Sequence, residues 1–242
     1  MRDELREINI ESVNSTNRWA KEHISELDDG TVVSAKIQTA GRGRLNRNWV
    51  NLGEGNLFLS FVLKPDMKYS KNFPNITQYL SLILCRVLEN YNVKPQIKWP
   101  NDVLVNGKKI AGILAETSMG QNSFNGIVLG IGVNLNAHRE DFNKIDKPAT
   151  ALNLESSKPI YINKFKQELC EEFFRSYDEF LEKGFSCIMD EYTLRATFID
   201  KELTVALVGS EVKGLAKGVT GHGELVLNSD NKELILNIGD IL

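Results

Sequence analysis

Residues 41–49 read Gly41-Arg42-Gly43-Arg44-Leu45-Asn46-Arg47-Asn48-Trp49, and this stretch limits the fold more than any other. Three arginines and two glycines fall within seven residues of a net acidic chain. Glycine weakens helix and strand interiors, and each guanidinium needs an anionic or solvated partner. The segment is therefore a loop. The β-branched run from Thr31 to Ile37 predicts a strand that leads directly into it, and the apolar run from Asn56 to Leu63 predicts a buried strand beyond it. Three readings fit the loop alone: a solvated basic surface, a nucleic-acid contact, or a mobile flap over a phosphorylated or acylated small molecule. Arginine forks grip phosphate or carboxylate through paired hydrogen bonds, and Trp49 adds a ring that packs over a ligand or anchors the loop.

Bulk properties narrow these readings. A net charge of −3 argues against a dedicated nucleic-acid binder. With 242 residues, 42% of them hydrophobic, the chain has material for a sizeable core. It contains no 18-residue apolar run, so no membrane span is expected. Met1 to Ala20 carries charges throughout and no apolar signal region, which predicts a cytoplasmic protein. Cys85, Cys170 and Cys187 form no Cys-x-x-Cys pair and read as reduced, mostly buried thiols. His23, His138 and His222 have no zinc-ligand spacing, and no Gly-x-Ser-x-Gly elbow occurs. No metal site held by protein alone is expected.

Along the chain, Ile8–Ile10 predicts a short strand. A helix capped by Ser15 or Thr16 follows, with Trp19, Ala20, His23, Ile24 and Leu27 at helical spacing. Pro74 opens a second helix, marked by apolar residues from Ile76 to Tyr91. Gln96–Trp99 predicts a strand ending at Pro100. Val103–Val105 and Ile110–Glu116 predict a hairpin around the type I′ turn Asn106-Gly107. Phe124–Leu135 is a strand broken by Gly126, Gly130 and Gly132, a pattern that marks close approach of a ligand or backbone. Asn163–Leu181 predicts another amphipathic helix. From about residue 198, short strands at 203–207, 211–219, 224–227 and 233–238 alternate with Gly and Asn/Asp turns, predicting a small β-barrel. The expected organisation is an α+β domain over 1–195 and an all-β module over 196–242.

Further segments carry chemistry. In Lys98-Trp99-Pro100-Asn101-Asp102, the lysine at a strand end suits a phosphate contact, and Asn101 or Asp102 suits a hydrated Mg²⁺; a plain polar turn fits equally well. Lys109 enters a strand whose next residues are small, which allows its ammonium to sit over a pocket floor near Gly112. Gly130-Ile131-Gly132-Val133-Asn134 permits close packing against a flat ligand, with Asn134 adding an amide. It lacks the Rossmann spacing.

In combination these motifs resemble the biotin protein ligases, or biotin–[acetyl-CoA-carboxylase] ligases, over nearly the whole chain. Ser15-Thr16-Asn17, Gln38 with Gly41-Arg42-Gly43-Arg44, Arg47 and Trp49, Lys98-Trp99-Pro100-Asn101-Asp102, Lys109 with Gly112, and Gly130-x-Gly132-Val133-Asn134 stand in the family's order. The resemblance implies a mixed-sheet catalytic domain of the biotin/lipoate ligase type with a C-terminal SH3-like barrel. It implies activation of biotin by ATP and Mg²⁺ to biotinyl-5′-AMP, then transfer to a lysine of a biotin carboxyl carrier domain, by a monomer or homodimer. Under this resemblance Ser15, Thr16, Asn17 and Gln38 contact biotin, with Gly41, Arg42, Gly43, Arg44 and Gly112 nearby. Arg44, Arg47, Trp49, Lys98, Asn101 and Asn134 serve ATP. Lys109, Arg42 and Arg44 are the implied catalytic residues, Lys109 bridging the biotin carboxylate and the α-phosphate.

Two departures stand out. Relatives commonly have glycine where this chain has Asn46, and asparagine tolerates the left-handed backbone expected there. The residue before Ser15 is often acidic in relatives and is Asn14 here. Some relatives carry an N-terminal helix-turn-helix domain; with the first strand at Ile8, a monofunctional ligase without operator binding is expected. The competing readings are a lipoate or octanoate–protein ligase, a non-catalytic nucleic-acid-binding protein, and an inactive binding module. The terminal barrel either caps the sheet, closes over ATP, or receives the carrier domain.

Overall fold

The computed structural model describes residues 6–121, 123–230 and 232–242, apart from the Asn46 side chain. The chain runs β1 (Glu7–Val13), α1 (Thr16–Glu22), β2 (Val32–Gln38) and β3 (Leu57–Leu63), then α2 (Ile76–Glu89), β4 (Pro95–Lys98), β5 (Asp102–Val105), β6 (Lys108–Met119) and β7 (Phe124–Val133). After these come α3 (Leu152–Glu155), α4 (Ile162–Lys183) and α5 (Met189–Leu194). Five further strands follow: β8 (Glu202–Leu207), β9 (Ser210–Val219), β10 (Leu225–Ser229), β11 (Lys232–Leu236) and β12 (Asp240–Ile241).

The first seven strands make one mixed sheet in the order β1-β2-β3-β7-β6-β5-β4, and the last five make an antiparallel sheet in the order β11-β10-β9-β8-β12. This is the α+β class with a small SH3-like barrel predicted by the sequence. In β3 every residue is buried, because the strand is central and covered on both faces. Leu57, Leu59, Phe61 and Leu63 face the main core with α2 and α4, where Phe61 stacks on Phe173 with centroids 4.2 Å apart. Val62 faces the other way, with Val33 and Val128, onto Ala20 and Ile24 of the α1 segment. Helices α2 and α4 therefore close one face, and α1 with the loops builds on the other.

The Asn106-Gly107 turn has φ of 51° and 74°, as a type I′ hairpin requires. Several boundaries differ from expectation. The first strand is longer than Ile8–Ile10 because it pairs in parallel with β2 from Glu7 to Val13. The first helix stops at Glu22, where His23 caps it, before Ile24 and Leu27. Pro74 lies inside a 3₁₀ segment, Met67–Asn75, and the α-helix proper begins at Ile76. The helices α3 and α5 and the two-residue strand β12 carry too few residues for periodicity to reveal.

Candidate active site

Strands β1 and β2 run parallel in register, with Val13 beside Gln38. The segments leaving them therefore emerge at the same end of the sheet, and this brings Ser15-Thr16-Asn17 against the Gly/Arg loop. Ser15 is the N-cap of α1, its hydroxyl accepting from the Arg18 amide. The Thr16 amide donates to Gln38 Oε1 at 2.7 Å, and the Thr16 hydroxyl lies 3.1 Å from the same oxygen. Asn17 donates through Nδ2 to Leu114 O and to Glu116 Oε2, both at 3.1 Å. All these side chains are buried at one end of a cavity of about 390 Å³, a size typical of small-molecule sites.

The floor is built by absence. Gly112 of β6 pairs with Gly132 of β7, and Leu114 with Gly130. A Cβ on Gly130 would lie 2.0 Å from Asn17 Oδ1, and one on Gly132 would lie 2.7 Å from the Trp49 ring. The glycines thus let Asn17 and the indole lie flat on the sheet. The close approach predicted from Gly130 and Gly132 is made, in this structure, by the protein's own side chains.

Lys109 reaches the floor through a slip in register. Val103 pairs with Ala111 but Leu104 pairs with Lys109, leaving Ile110 as an extra residue. Residues three apart on a regular strand face opposite sides; the bulge turns Lys109 to the side of Gly112. Its ammonium lies 2.7 Å from Asp102 Oδ1 and 5.6 Å from the Trp49 ring centroid. Lys98, at the end of β4, stands opposite Asp102 in the β4–β5 hairpin. Burial of the Lys98 amine, with Lys147 and Lys109 nearby, holds its pKa below the usual lysine value despite Asp102.

The loop folds back on itself: Gly43 N donates to Arg47 O and Trp49 N to Gly41 O. Each arginine has an anionic or carbonyl partner. Arg42 grips both Glu116 oxygens, at 3.1 and 2.9 Å. Arg44 donates to Gly239 O at 3.2 Å, and its Nε lies 3.5 Å from Asp240 Oδ1. Arg47 Nη1 is 3.1 Å from Asp240 Oδ2, an ion pair whose angle is too poor for a hydrogen bond. Leu45 is left-handed, with φ 50° and ψ 43°, between the tethered Arg44 and Arg47.

The cavity lining takes in Ser15, Thr16, Asn17, Gln38, Arg42, Gly43, Arg44, Arg47, Trp49, Lys98, Asn101, Lys109, Gly112 and Asn134, all anticipated from sequence. Gly41 does not line it: a Cβ there would meet Trp49 O at 2.9 Å, so this glycine closes the neck of the loop. Asn101 and Asn134 are anchored through their amide nitrogens, to Ile113 O and Thr150 O. Trp99 lines the cavity while its indole N–H donates to Gly223 O of the barrel. Glu116, Asp240 and Lys147 were not anticipated. Glu116 and Asp240 are lone acids with no motif around them, and only the folded chain brings them to the arginines. Among the described residues no cluster of three metal-ligating side chains occurs. Burial pushes the Cys85 and Cys170 thiols up, so neither is a nucleophile.

The model of the biotin/lipoate A/B protein ligase family matches residues 9–134. The chain is 30% identical over 223 residues to the biotin–[acetyl-CoA-carboxylase] ligase of Paracoccus denitrificans, covering 88% of this chain and 90% of that one. It is 29% identical over 221 residues to the bifunctional ligase/repressor BirA of Bacillus subtilis, covering 90% of this chain and 68% of that protein. Its structure superposes on the biotin protein ligase from Aquifex aeolicus, solved with biotin and ATP, with a TM-score of 0.86 and 26% identity over 98% of this chain and 97% of that one. The cavity, its glycine floor and its cationic loop are thus those of a chain that belongs to the biotin/lipoate A/B protein ligase family.

Proposed function

We infer that this protein is an ATP-dependent biotin–protein ligase. Biotin and ATP yield biotinyl-5′-AMP and pyrophosphate, and the biotinyl group then passes to a lysine amine of a biotin carboxyl carrier domain, releasing AMP. The observation that carries this reading is that one cavity is lined both by the buried hydrogen-bonding residues Ser15, Thr16, Asn17 and Gln38 and by the cations Arg42, Arg44, Arg47, Lys98 and Lys109. A polar end matches the ureido ring of biotin and mismatches the apolar end of lipoate or octanoate, because buried polar groups left unpaired are costly. The arginines are paired within the chain, with Glu116, Gly239 and Asp240, which disfavours the nucleic-acid reading.

The first step brings a carboxylate against the α-phosphate, and these two anions repel. Catalysis then consists of positioning and charge neutralisation, with no protein nucleophile. In this assignment Lys109 lies between the carboxylate and the α-phosphate, and Arg42 and Arg44 flank them. Arg47 and Lys98 meet the phosphate chain, and Trp49 and Asn134 the nucleoside. Asn101 or Asp102 would offer an oxygen to a hydrated Mg²⁺ brought with ATP, and the ion would supply neutralisation of phosphate charge. The loop protects the anhydride from water during the second step. The division near residue 195 leaves the catalytic machinery in the first part and Asp240 in the barrel. ATP as substrate and three free cysteines fit a cytoplasmic setting.

The test is transfer itself. With biotin, MgATP and an isolated carrier domain, streptavidin should detect biotin on the carrier, and a carrier whose acceptor lysine is changed to alanine should stay unlabelled. Labelling that ignores the acceptor lysine, or no labelling by folded protein, contradicts the reading.

A further inference from the structure

Ser60 sits in the middle of β3, opposite Val33 on one neighbour and Gly130 on the other. It interrupts an otherwise apolar strand and is 0% exposed. It does not line the cavity, yet its hydroxyl lies 2.7 Å from Asn17 Oδ1 and 2.8 Å from Thr16 Oγ1. Gly130 beside it gives the Asn17 amide room to reach this hydroxyl.

Counting protons fixes the network. The nitrogen end of the Asn17 amide faces Leu114 O and Glu116 Oε2, two groups that accept. Its oxygen end must therefore face a donor, and Ser60 has a single proton to give. With that proton committed to Asn17, Ser60 can only accept from Thr16. The Thr16 proton then goes to Ser60 or to Gln38 Oε1, and both lie within the protein. Toward the cavity, Thr16 and Asn17 are left with oxygen lone pairs, while the Gln38 amide nitrogen remains a donor. Two acceptors and one donor complement a ring that offers two N–H groups and one carbonyl.

We propose that Ser60 is a positioning residue for biotin, holding Asn17 and Thr16 in place from beneath so that their oxygens accept from the ureido N–H groups. The proposal rests on the functional reading above. Without the Ser60 hydroxyl, Asn17 Oδ1 loses its buried donor and the Thr16 hydroxyl keeps only Gln38 Oε1 as a partner within the protein, so both side chains are held less firmly for the ligand.

The experiment is pyrophosphate exchange with Ser60→Ala, measured against biotin and against ATP. The biotin KM should rise about tenfold, as expected for a hydrogen-bond network worth about 1.4 kcal/mol, while the ATP KM and the kcat at saturating biotin stay within about threefold. In an Asn17→Ala background the same change should raise the biotin KM by a clearly smaller factor, because the route through Asn17 is gone and only that through Thr16 remains. A general structural defect would raise both KM values and add in the double variant. Should Ser60→Ala fail to fold, Ser60→Cys, of similar size with a weak S–H donor, should give the same selective rise at smaller amplitude. An unchanged biotin KM, or parallel rises for both substrates, overturns the role of Ser60. Absence of biotin-dependent exchange in the unaltered protein overturns the functional reading itself.

Discussion

Lys109 and Lys98 hold their charges in different ways. Lys109 is paired with Asp102 at 2.7 Å, so under the proposed assignment the carboxylate and phosphate would have to share or replace that partner. Lys109→Ala leaves Asp102 as an uncompensated anion where anions must bind. Adenylation should fall by about 10²–10³-fold, in the range for losing a group that stabilises developing charge, and Tm should change little. Lys98 is half-buried, and its pKa lies below the usual value because burial penalises the ammonium. Under the proposed assignment a phosphate chain beside Lys98 would favour the charged form, so ATP binding should take up a proton where the empty site has begun to lose it. As pH rises through the lowered pKa, Lys98 loses its charge and the ATP KM should climb. Lys98→Arg should move that climb to higher pH, since a guanidinium stays protonated. For stability the sign is opposite to that of a paired lysine: the charge costs the empty fold below the lowered pKa, and the cost fades as pH rises through it.

At the scale of elements, the β6–β7 floor and the loop above it depend on each other. Gly132→Ala places a methyl 2.7 Å from the Trp49 ring, which must move. Because Gly132 is only partly buried and faces the cavity, Tm should hold within a few degrees. The ATP KM should rise about tenfold, the order expected of a misplaced binding wall. The loop itself should be protected from proteolysis when biotin and ATP are both present, and unchanged cleavage would count against its role as a cover. The sequence revealed the parts of these elements that rest on local chemistry: the Asn106-Gly107 turn, the glycines of β7, and the loop as a break between strands. It did not reveal the bulge at Ile110, which depends on pairing with β5, although this bulge aims Lys109 into the cavity. Nor did it single out Ser60, because one serine in an apolar strand has no pattern to distinguish it.

Across the whole molecule, the barrel belongs to the site rather than standing beside it. Val205, Ala216, Leu225, Leu227 and Ile241 join the same buried cluster as the main sheet. Asn75, Gln78 and Trp99 donate to backbone carbonyls of His222 and Gly223. Thermal unfolding should therefore be a single transition in calorimetry; a separate early transition for the barrel would contradict this. Asp240 carries the barrel's reach into the loop, through Arg44 and Arg47. Asp240→Asn should raise the ATP KM severalfold with little effect on the biotin KM, as the arginines lose the anion that orients them. This long-range contact was illegible in sequence, since almost 200 residues separate its partners.

The measurement that bears most directly on the central claim is ATP–pyrophosphate exchange with Mg²⁺, run in parallel with biotin, lipoate and octanoate. It reads the first chemical step alone and needs no acceptor. Exchange that depends on biotin, and is absent or far slower with the other two acids, is the predicted result. Exchange with lipoate or octanoate in place of biotin, or no exchange by folded protein, would contradict the assignment of the polar end of the cavity to a ureido ring.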